Sequence, residues 1–204
     1  DVDLGALSQF SALIEKSGQH LMETLTSVLN LSKLEAGEMD LSTGPVDLAA
    51  EAGETAEELR SQARDTGVEL HIGLNGSVWA RADEGGVQMI LRNLLSNAIK
   101  YTEEGGTAWV RAWDNETKAV LEVEDTGIGM DPAKTSELFE AFKQESEGTN
   151  REYEGTGLGL TLVKEILDRM DGSIELETQK GEGTCFTVQL PRSKRSSGSL
   201  SEEV

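Results

Sequence analysis

The feature that most constrains this sequence is a long run of apolar residues at helical spacing near its N-terminus. Between Leu4 and Glu35 the members of one row are Leu7, Phe10, Ile14, Leu21, Leu25 and Val28, and those of a second row are Leu13, Met22 and Leu29. We predict one long helix that ends near Gly37, because glycine tolerates the left-handed conformation of a helix C-cap. The apolar stripe is wider than one neighbouring helix would need. We therefore expect this helix to join a bundle or a coiled coil.

The sequence changes character between residues 38 and 47, where Gly44 and Pro45 indicate a turn. We place a domain boundary at this turn. The predicted division is a helical part over residues 1–43, a larger domain over 44–192, and a Ser-rich tail or linker over 193–204.

The larger domain alternates between helical and strand patterns. We predict helices over 48–66, 137–143 and 158–170, and a further helix that Asp83 caps and that carries Met89, Ile90, Leu94, Leu95 and Ile99. The predicted strands cover 68–74, 107–113, 119–124, 173–178 and 184–190, and the last two form a terminal hairpin. This mixture predicts an α/β fold, a two-layer sandwich with a mixed sheet.

Charge and cysteine content exclude several classes of function. The chain has 204 residues, with 38 acidic against 18 basic side chains and a formal net charge of −20. Such a charge repels nucleic acid and anionic lipid, so we expect no nucleic-acid partner and no direct membrane contact. Cys185 is the single cysteine, so no intrachain disulfide can form, and we expect a cytoplasmic location.

The first candidate cluster is a row of polar residues on the predicted helix after Asp83. Asn93, Asn97 and Lys100 fall at positions i, i+4 and i+7, which places two amides and an ammonium on one helix face. Amide oxygens suit a magnesium ion that keeps most of its water and takes further ligands from nucleotide phosphates. Taken alone, the row is more typical of a polar helix face with an incidental lysine.

The second cluster, residues 125–130, follows a predicted strand directly. Asp125 can accept a proton from an exocyclic amine, while Gly127 and Gly129 allow the backbone to approach a flat ligand. An ordinary turn after a strand also uses Asp and Gly.

Two further clusters are rich in glycine. Gly155, Gly157 and Gly159 open the helix over 158–170, where backbone N–H groups form a site for phosphate. Neither the dinucleotide fingerprint nor the Walker loop has this spacing. The last cluster, residues 181–186, is mainly a hairpin turn, in which Thr184 can lend a hydroxyl to a site.

In this order and spacing, the clusters resemble the N, G1, G2 and G3 boxes of bacterial sensor histidine kinases, and residues 138–144 resemble the F box. Residues 31–37 are similar to the end of the second helix in that family's dimerisation and phosphotransfer hairpin. The resemblance covers about residues 10–191. It implies the ATP-binding sandwich shared with gyrase, mismatch-repair and heat-shock-chaperone ATPases, behind one helix of a dimeric four-helix bundle.

The resemblance also implies roles for individual residues. Asn97 would ligate Mg²⁺ with Asn93 beside it, and Lys100 would reach phosphate. Tyr101 would lie against adenine and Asp125 would accept its amino hydrogens, in a pocket shaped by Gly127 and Gly129 with Thr184 nearby. The segment 131–154, with Phe139 and Phe142, would be a lid. The phosphate loop would comprise Gly155, Thr156, Gly157, Leu158 and Gly159.

One departure from the family concerns the phosphoacceptor, a His followed by an acidic residue and then, a few positions on, by Pro. His20 precedes Leu21-Met22-Glu23 and His71 lies within a predicted strand, so neither fits. We therefore expect the catalytic fragment of a longer, dimeric kinase that relays phosphoryl to a response-regulator receiver domain. An ATP-gated module without kinase activity and a serine kinase of the anti-sigma type are the alternatives.

Overall fold

The computed structural model describes residues 4–139 and 157–194, apart from some side chains in the first helix and between residues 134 and 137. In chain order, the helices are α1 (Leu4–Glu35), α2 (Leu48–Asp65), α3 (Glu84–Tyr101) and α4 (Gly159–Arg169). The strands are β1 (Gly44–Asp47), β2 (Glu69–Leu74), β3 (Trp79–Ala82), β4 (Thr107–Asp114), β5 (Lys118–Asp125), β6 (Ser173–Gln179) and β7 (Gly183–Pro191).

Five strands form the main sheet in the order β2-β4-β5-β7-β6. The β2–β4 pair is parallel and the other pairs are antiparallel. Strands β1 and β3 form a separate antiparallel ribbon, which a bridge between Ala80 and Arg192 connects to the chain after β7. The predicted two-layer sandwich with a mixed sheet is confirmed.

The core lies between the sheet and helices α2, α3 and α4. Side chains alternate along β4 and β5, and the inward residues Ala108, Val110, Leu121 and Val123 are buried. Leu94, Leu95 and Ile99 of α3 meet them from the helical layer and are also buried. Burial of one such side chain stabilises the fold by about 1.5–3 kcal/mol.

The predicted helix ends are confirmed by their hydrogen bonds. The Asp83 carboxylate accepts the Gly86 N–H at 2.8 Å and caps α3. Gly37 has φ +71°, and the Glu38 N–H donates to the Lys33 carbonyl at 2.8 Å, which closes α1 as expected for a glycine C-cap.

The predicted turn at Gly44 and Pro45 is wrong, because both residues belong to β1 and pair with Ala82 and Arg81. Pro45 is tolerated since β1 pairs with β3 alone, so a proline without an N–H need not break a central ladder. The predicted helix at 137–143 is also not found in its described part. A 3₁₀ helix over Pro132–Glu137 precedes a turn at Leu138 and Phe139, and residues 140–143 lie outside the described residues.

The C-terminal end of helix α1 packs on the sandwich. Leu31 and Leu34 are buried, and the Arg169 guanidinium of α4 donates a hydrogen bond to the Leu34 carbonyl. Among the described residues, no helix combines the length and the apolar character that crossing a bilayer requires.

Candidate functional site

Asp125, at the end of β5, is a charged group inside the sandwich. Asp125 is only 7% exposed, and its carboxylate accepts the Gly127 N–H at 2.8 Å. Burial raises the pKa of this carboxyl from 3.8 to about 6, although the backbone hydrogen bonds from Gly127 and Thr184 oppose the shift. The carboxyl is therefore mostly ionised at neutral pH and is an acceptor in a desolvated place.

Thr184 lies opposite Asp125 in the β5–β7 register and is also buried. Because paired residues share a face of the sheet, the hydroxyl and the carboxylate are neighbours on the inner face. The structure thus brings together two residues that the sequence placed 59 positions apart.

The loop after β5 and the β6–β7 hairpin are pressed against each other backbone to backbone. A Cβ atom on Gly129 would collide with the Gln179 carbonyl, and one on Gly183 would collide with the Asp125 carbonyl. The Gly181 N–H donates to the Ile128 carbonyl at 2.7 Å across the same contact. Glycine is therefore required here for close packing within the protein, a reason that the sequence pattern does not show.

Gly127 has a similar role at the end of α3. A Cβ atom there would collide with the Tyr101 carbonyl, which accepts the Ile128 N–H at 3.0 Å. This contact fixes Tyr101 beside the Asp125 loop. Burial raises the pKa of the Tyr101 phenol, and the Lys100 ammonium lies 5.3 Å from the centroid of its ring.

The predicted polar row lies on α3 as expected from its spacing. Asn93, Asn97 and Lys100 are all half-buried, between the fully buried face of the helix and solvent. The Asn93 amide donates to the Met89 carbonyl at 2.7 Å. This bond leaves the Asn93 side-chain oxygen as an acceptor.

The N-terminus of α4 lies against the side-chain oxygen of Asn93. A Cβ atom on Gly159 would stand 2.5 Å from Asn93 Oδ1, so a side chain at position 159 would displace the Asn93 amide. Gly157 has φ +68°, and the buried Leu158 is the N-cap residue of α4. Of the predicted phosphate loop, Gly155 and Thr156 lie outside the described residues.

Thr178 is a residue of this region that the sequence did not single out. Its hydroxyl accepts the Met130 N–H at 2.9 Å and lies 3.2 Å from the Thr184 hydroxyl. Thr178 ends one predicted strand of the hairpin and Thr184 begins the other, and the structure pairs the two residues. A cross-strand threonine pair was therefore the available signal.

A magnesium ion at this site would rely on amide and phosphate oxygens. Within residues 4–139 and 157–194, no three His, Cys, Asp or Glu side chains converge on a point that could hold a metal. The half-buried amides of α3 beside the α4 N-terminus fit an ion that retains water and binds through a ligand's phosphates.

Comparison with known proteins gives a match to a family model over residues 82–194, more than half of the chain. The model describes the histidine kinase-, DNA gyrase B- and HSP90-like ATPases. The matched range contains α3, the Asp125 loop, α4 and the hairpin.

Curated relatives include the circadian input-output histidine kinase CikA of Synechococcus elongatus, which is 39% identical over 90% of this chain and 25% of its own length. Another is the autoinducer 2 sensor kinase/phosphatase LuxQ of Vibrio parahaemolyticus, which is 38% identical over 88% of this chain and 22% of its own length. The chain thus spans about a quarter of the length of these relatives.

Solved structures of histidine kinases are also similar to this chain. Full-length ShkA in complex with AMPPNP is 29% identical with a TM-score of 0.75, over 92% of this chain and 39% of ShkA. The mycobacterial sensor histidine kinase MprB is 25% identical with a TM-score of 0.65, over 74% of this chain and 98% of that structure.

Proposed function

Because this chain belongs to the histidine kinase-, DNA gyrase B- and HSP90-like ATPases and carries the ATP-binding domain of the sensor histidine kinases, we propose that residues 44–192 bind Mg-ATP for phosphoryl transfer to a histidine. In the whole protein, that phosphoryl group would pass to the receiver domain of a response regulator. The observation that carries the proposal is the buried Asp125 carboxylate beside the C-terminal end of α3, with the N-terminus of α4 against Asn93 near the middle of that helix.

The part of α3 between Asn93 and Tyr101 matches the length of an extended nucleotide. Eight residues separate Asn93 from Tyr101, which is about 12 Å along the helix axis. A purine between Tyr101 and Asp125 would therefore place its phosphates beside Asn93, Asn97 and the α4 N-terminus. The partial positive charge of that N-terminus favours phosphate.

The chain's own residues would position the nucleotide. We propose that Asp125 accepts from the exocyclic amine while Gly127 and Gly129 hold the loop that carries it. Lys100 would neutralise phosphate charge, and the Asn97 oxygen, with Asn93 beside it, would hold the metal. A Mg²⁺ ion held by these amides would supply positive charge that offsets the negative charge developing on the phosphate during transfer.

The remaining proposed contacts come from the two ends of the site. The phosphates would be bound by the backbone of the loop formed by Gly155, Thr156, Gly157, Leu158 and Gly159. Thr184 would lie beside the purine base of the nucleotide. Transfer to a neutral imidazole needs no strong base at neutral pH, so catalysis would consist mainly of positioning and charge stabilisation.

We propose a homodimer through α1, with residues 1–43 as the second helix of the dimerisation hairpin and residues 193–204 as a linker. Exposed apolar side chains support this assignment: among the described side chains of α1, the six most exposed large apolar ones are Phe10, Ile14, Leu21, Met22, Leu25 and Leu29. Exposure of so many large apolar groups along one helix indicates a surface that other helices cover.

His71 is badly placed to accept the phosphoryl group. It pairs with Trp109 in the β2–β4 register, stacks on that ring at 5.9 Å, and lies 3.1 Å from Glu69. Trp109 alternates with the buried Ala108 and Val110, so His71 is on the face of the sheet away from α3. We expect no acid-labile label on this chain after incubation with γ-labelled ATP, and label on His20 or His71 would contradict this assignment.

Asp125→Asn tests the proposal most simply. We expect the variant to fold but to lose nucleotide affinity by at least about tenfold, because an amide can present a donor to the exocyclic amine. Calorimetric titration with AMPPNP and Mg²⁺ measures the effect. The matched control is Glu124→Gln, since the adjacent Glu124 carboxylate is on the other face and pairs with Arg111 at 2.5 Å. Unchanged affinity in Asp125→Asn would remove Asp125 from the site.

Asn97→Ala tests the metal separately. We expect AMPPNP affinity in Mg²⁺ to fall toward the metal-free value, while the melting temperature of the nucleotide-free protein changes little. Ser96→Ala is the control on the same turn of α3, where the Ser96 hydroxyl donates to the Asn93 carbonyl. If Asn97→Ala and wild type gain equally from Mg²⁺, Asn97 is not a ligand.

A further inference from the structure

The connection between β2 and β3 carries the single Asn-Gly pair of the sequence, Asn75-Gly76. Both residues are exposed, and Gly76 has φ +80° with no atom within 4 Å of where its Cβ would be. Within residues 4–139 and 157–194, neither the Asn75 side chain nor the Gly76 N–H makes a hydrogen bond. The amide and the nitrogen that follows it are therefore open to solvent and to each other.

An asparagine that precedes glycine can react with its own backbone. The Gly76 nitrogen, after losing its proton to solvent, attacks the side-chain carbonyl carbon of Asn75. A C–N bond forms, the bond to the side-chain nitrogen breaks, and ammonia leaves. Water then opens the resulting succinimide at either carbonyl, which leaves aspartate or isoaspartate. The sum is asparagine plus water to a carboxylic acid plus ammonia, and glycine permits the approach because it has no Cβ atom.

A second pair of this type, Asp171-Gly172, shows how the fold can prevent the reaction. The Gly172 N–H donates to the Leu167 carbonyl at 2.9 Å, and the Asp171 carboxylate accepts from Arg81 at 2.6 Å. A Cβ atom on Gly172 would stand 2.9 Å from the side chains of Leu167 and Leu190. Both reacting groups of this pair are thus engaged, and the backbone around them is packed.

The other asparagines on described elements of the sandwich are also held. Asn93 and Asn97 lie inside α3, where helical hydrogen bonds engage the backbone N–H of the residue that follows each of them. The Asn115 side-chain oxygen accepts the N–H groups of Thr117 and Lys118 at 3.0 and 2.9 Å. Asn75 differs from all three in having both reacting groups unbonded.

We propose that Asn75 is a site of spontaneous deamidation, at which the Gly76 nitrogen converts the amide to a carboxylate and gives the folded chain one further negative charge. The reaction needs no nucleotide. It is also remote from the Asp125 pocket, because Asn75 follows Leu74, which pairs with Ala112, whereas Asp125 pairs with Ala108. Four residues of β4 separate those two positions, about 13 Å along the strand.

Asp171→Asn supplies the matched control, because it places a second Asn-Gly pair in the same chain. Asparagine tolerates the φ of +55° at this position, and the ion pair with Arg81 that is lost is exposed. The full-chain variant is incubated at mildly alkaline pH, folded and in urea, and is then digested with trypsin. Peptides 65–81 and 170–180 report the two pairs separately, and each deamidation raises the mass by about 1 Da.

In the folded chain, we expect deamidation in peptide 65–81 to be at least about tenfold faster than in peptide 170–180. In urea, the two rates should agree to within about threefold, because neither pair is then held by the fold. Gly76→Ala should slow the reaction at position 75 at least about tenfold, since a Cβ atom crowds the attacking nitrogen and disfavours positive φ.

Equal rates for the two peptides in the folded chain would overturn the inference. It would also be overturned if peptide 65–81 gained mass in urea but not in the folded chain, because the fold would then protect Asn75. A mass that stays constant even in urea would contradict the reaction itself. These results leave the proposed function untouched, since they are obtained without nucleotide, and a failure to bind AMPPNP would in turn leave the modification at Asn75 unaffected.

Discussion

Helices α1 and α3 both present a broad apolar face, but the surroundings of the two faces differ. On α3, Leu91, Leu95 and Ile99 are completely buried against the sheet and the neighbouring helices. On α1, Phe10 is 64% and Ile14 72% exposed, and among the described side chains of this helix only Leu31 and Leu34 at the far end are buried. Similar patterns in the sequence therefore lead to a completed core in one helix and an uncovered surface in the other.

The buried face of α3 and the exposed face of α1 indicate which properties this chain has alone and which require a partner. The described residues of the proposed nucleotide site all lie in the sandwich, where α3, α4 and the hairpin fix their positions. The apolar stripe of α1 has no comparable cover among the described residues. We therefore expect the free energy of unfolding to depend on α3, and the oligomeric state to depend on α1.

The largest contrast should come from alanine substitutions at one leucine in each helix. Leu95→Ala should lower the free energy of unfolding by about 3–5 kcal/mol, because it leaves a cavity in a packed core. Leu25→Ala, at a side chain that is 49% exposed, should lower it by less than about 1 kcal/mol. Urea unfolding followed by the fluorescence of Trp79, Trp109 and Trp113, all on sandwich strands, measures both changes. Equal losses would show that α1 is part of the same core.

The second contrast concerns self-association. Leu21→Glu with Leu25→Glu should weaken association of the chain at least about thirtyfold, because two apolar contacts are replaced by charges. Light scattering over a concentration series measures this effect. Raising the salt concentration should strengthen association of the wild type, since screening reduces repulsion between chains of net charge −20.

Two results would break this part of the comparison. A wild-type chain that stays monomeric at high salt would show that the stripe of α1 does not pair with a second copy. A double variant that associates like the wild type would place the contact elsewhere on the chain.

Elements whose sequence pattern acts within a few residues were predicted, and elements that depend on distant pairing were not. The bounds of α1 and α3 followed from apolar spacing and from caps at Gly37 and Asp83, which act within a few residues. Strand β3 (Trp79–Ala82) was not predicted and β1 was taken for a turn. Each has four residues, and their pairing across more than thirty positions is not encoded in either segment alone.

The smallest of the three effects concerns the pH dependence of stability at Asp125. Burial raises the pKa of its carboxyl to about 6 in the folded chain, from an ordinary value of 3.8. Below pH 6 the folded state therefore binds a proton that the unfolded state does not, and acidification stabilises it. Relative to Asp125→Asn, wild type should gain about 1.4 kcal/mol between pH 7.5 and pH 5. The series stops at pH 5 because the isoelectric point is near 4.4. A difference that does not vary with pH would mean that the carboxyl is well solvated.

The site was predictable where residues on one element carry it. Asn93, Asn97 and Lys100 share a face of α3, as their spacing required. The reason for Gly129 and Gly183 was not predictable, because each packs against backbone from a distant segment. Thr178 was missed since its contacts depend on the close approach of the loop and the hairpin. The roles assigned to the site residues in nucleotide binding stay predictions.

The most direct test of the central claim, that the sandwich binds nucleotide independently of any partner of α1, is a calorimetric titration of AMPPNP with Mg²⁺ into the Leu21→Glu, Leu25→Glu variant. If the claim is right, the monomeric variant binds AMPPNP with the wild-type affinity to within about twofold. Loss of binding in a folded, monomeric variant would contradict it, because the nucleotide site would then depend on the surface of α1.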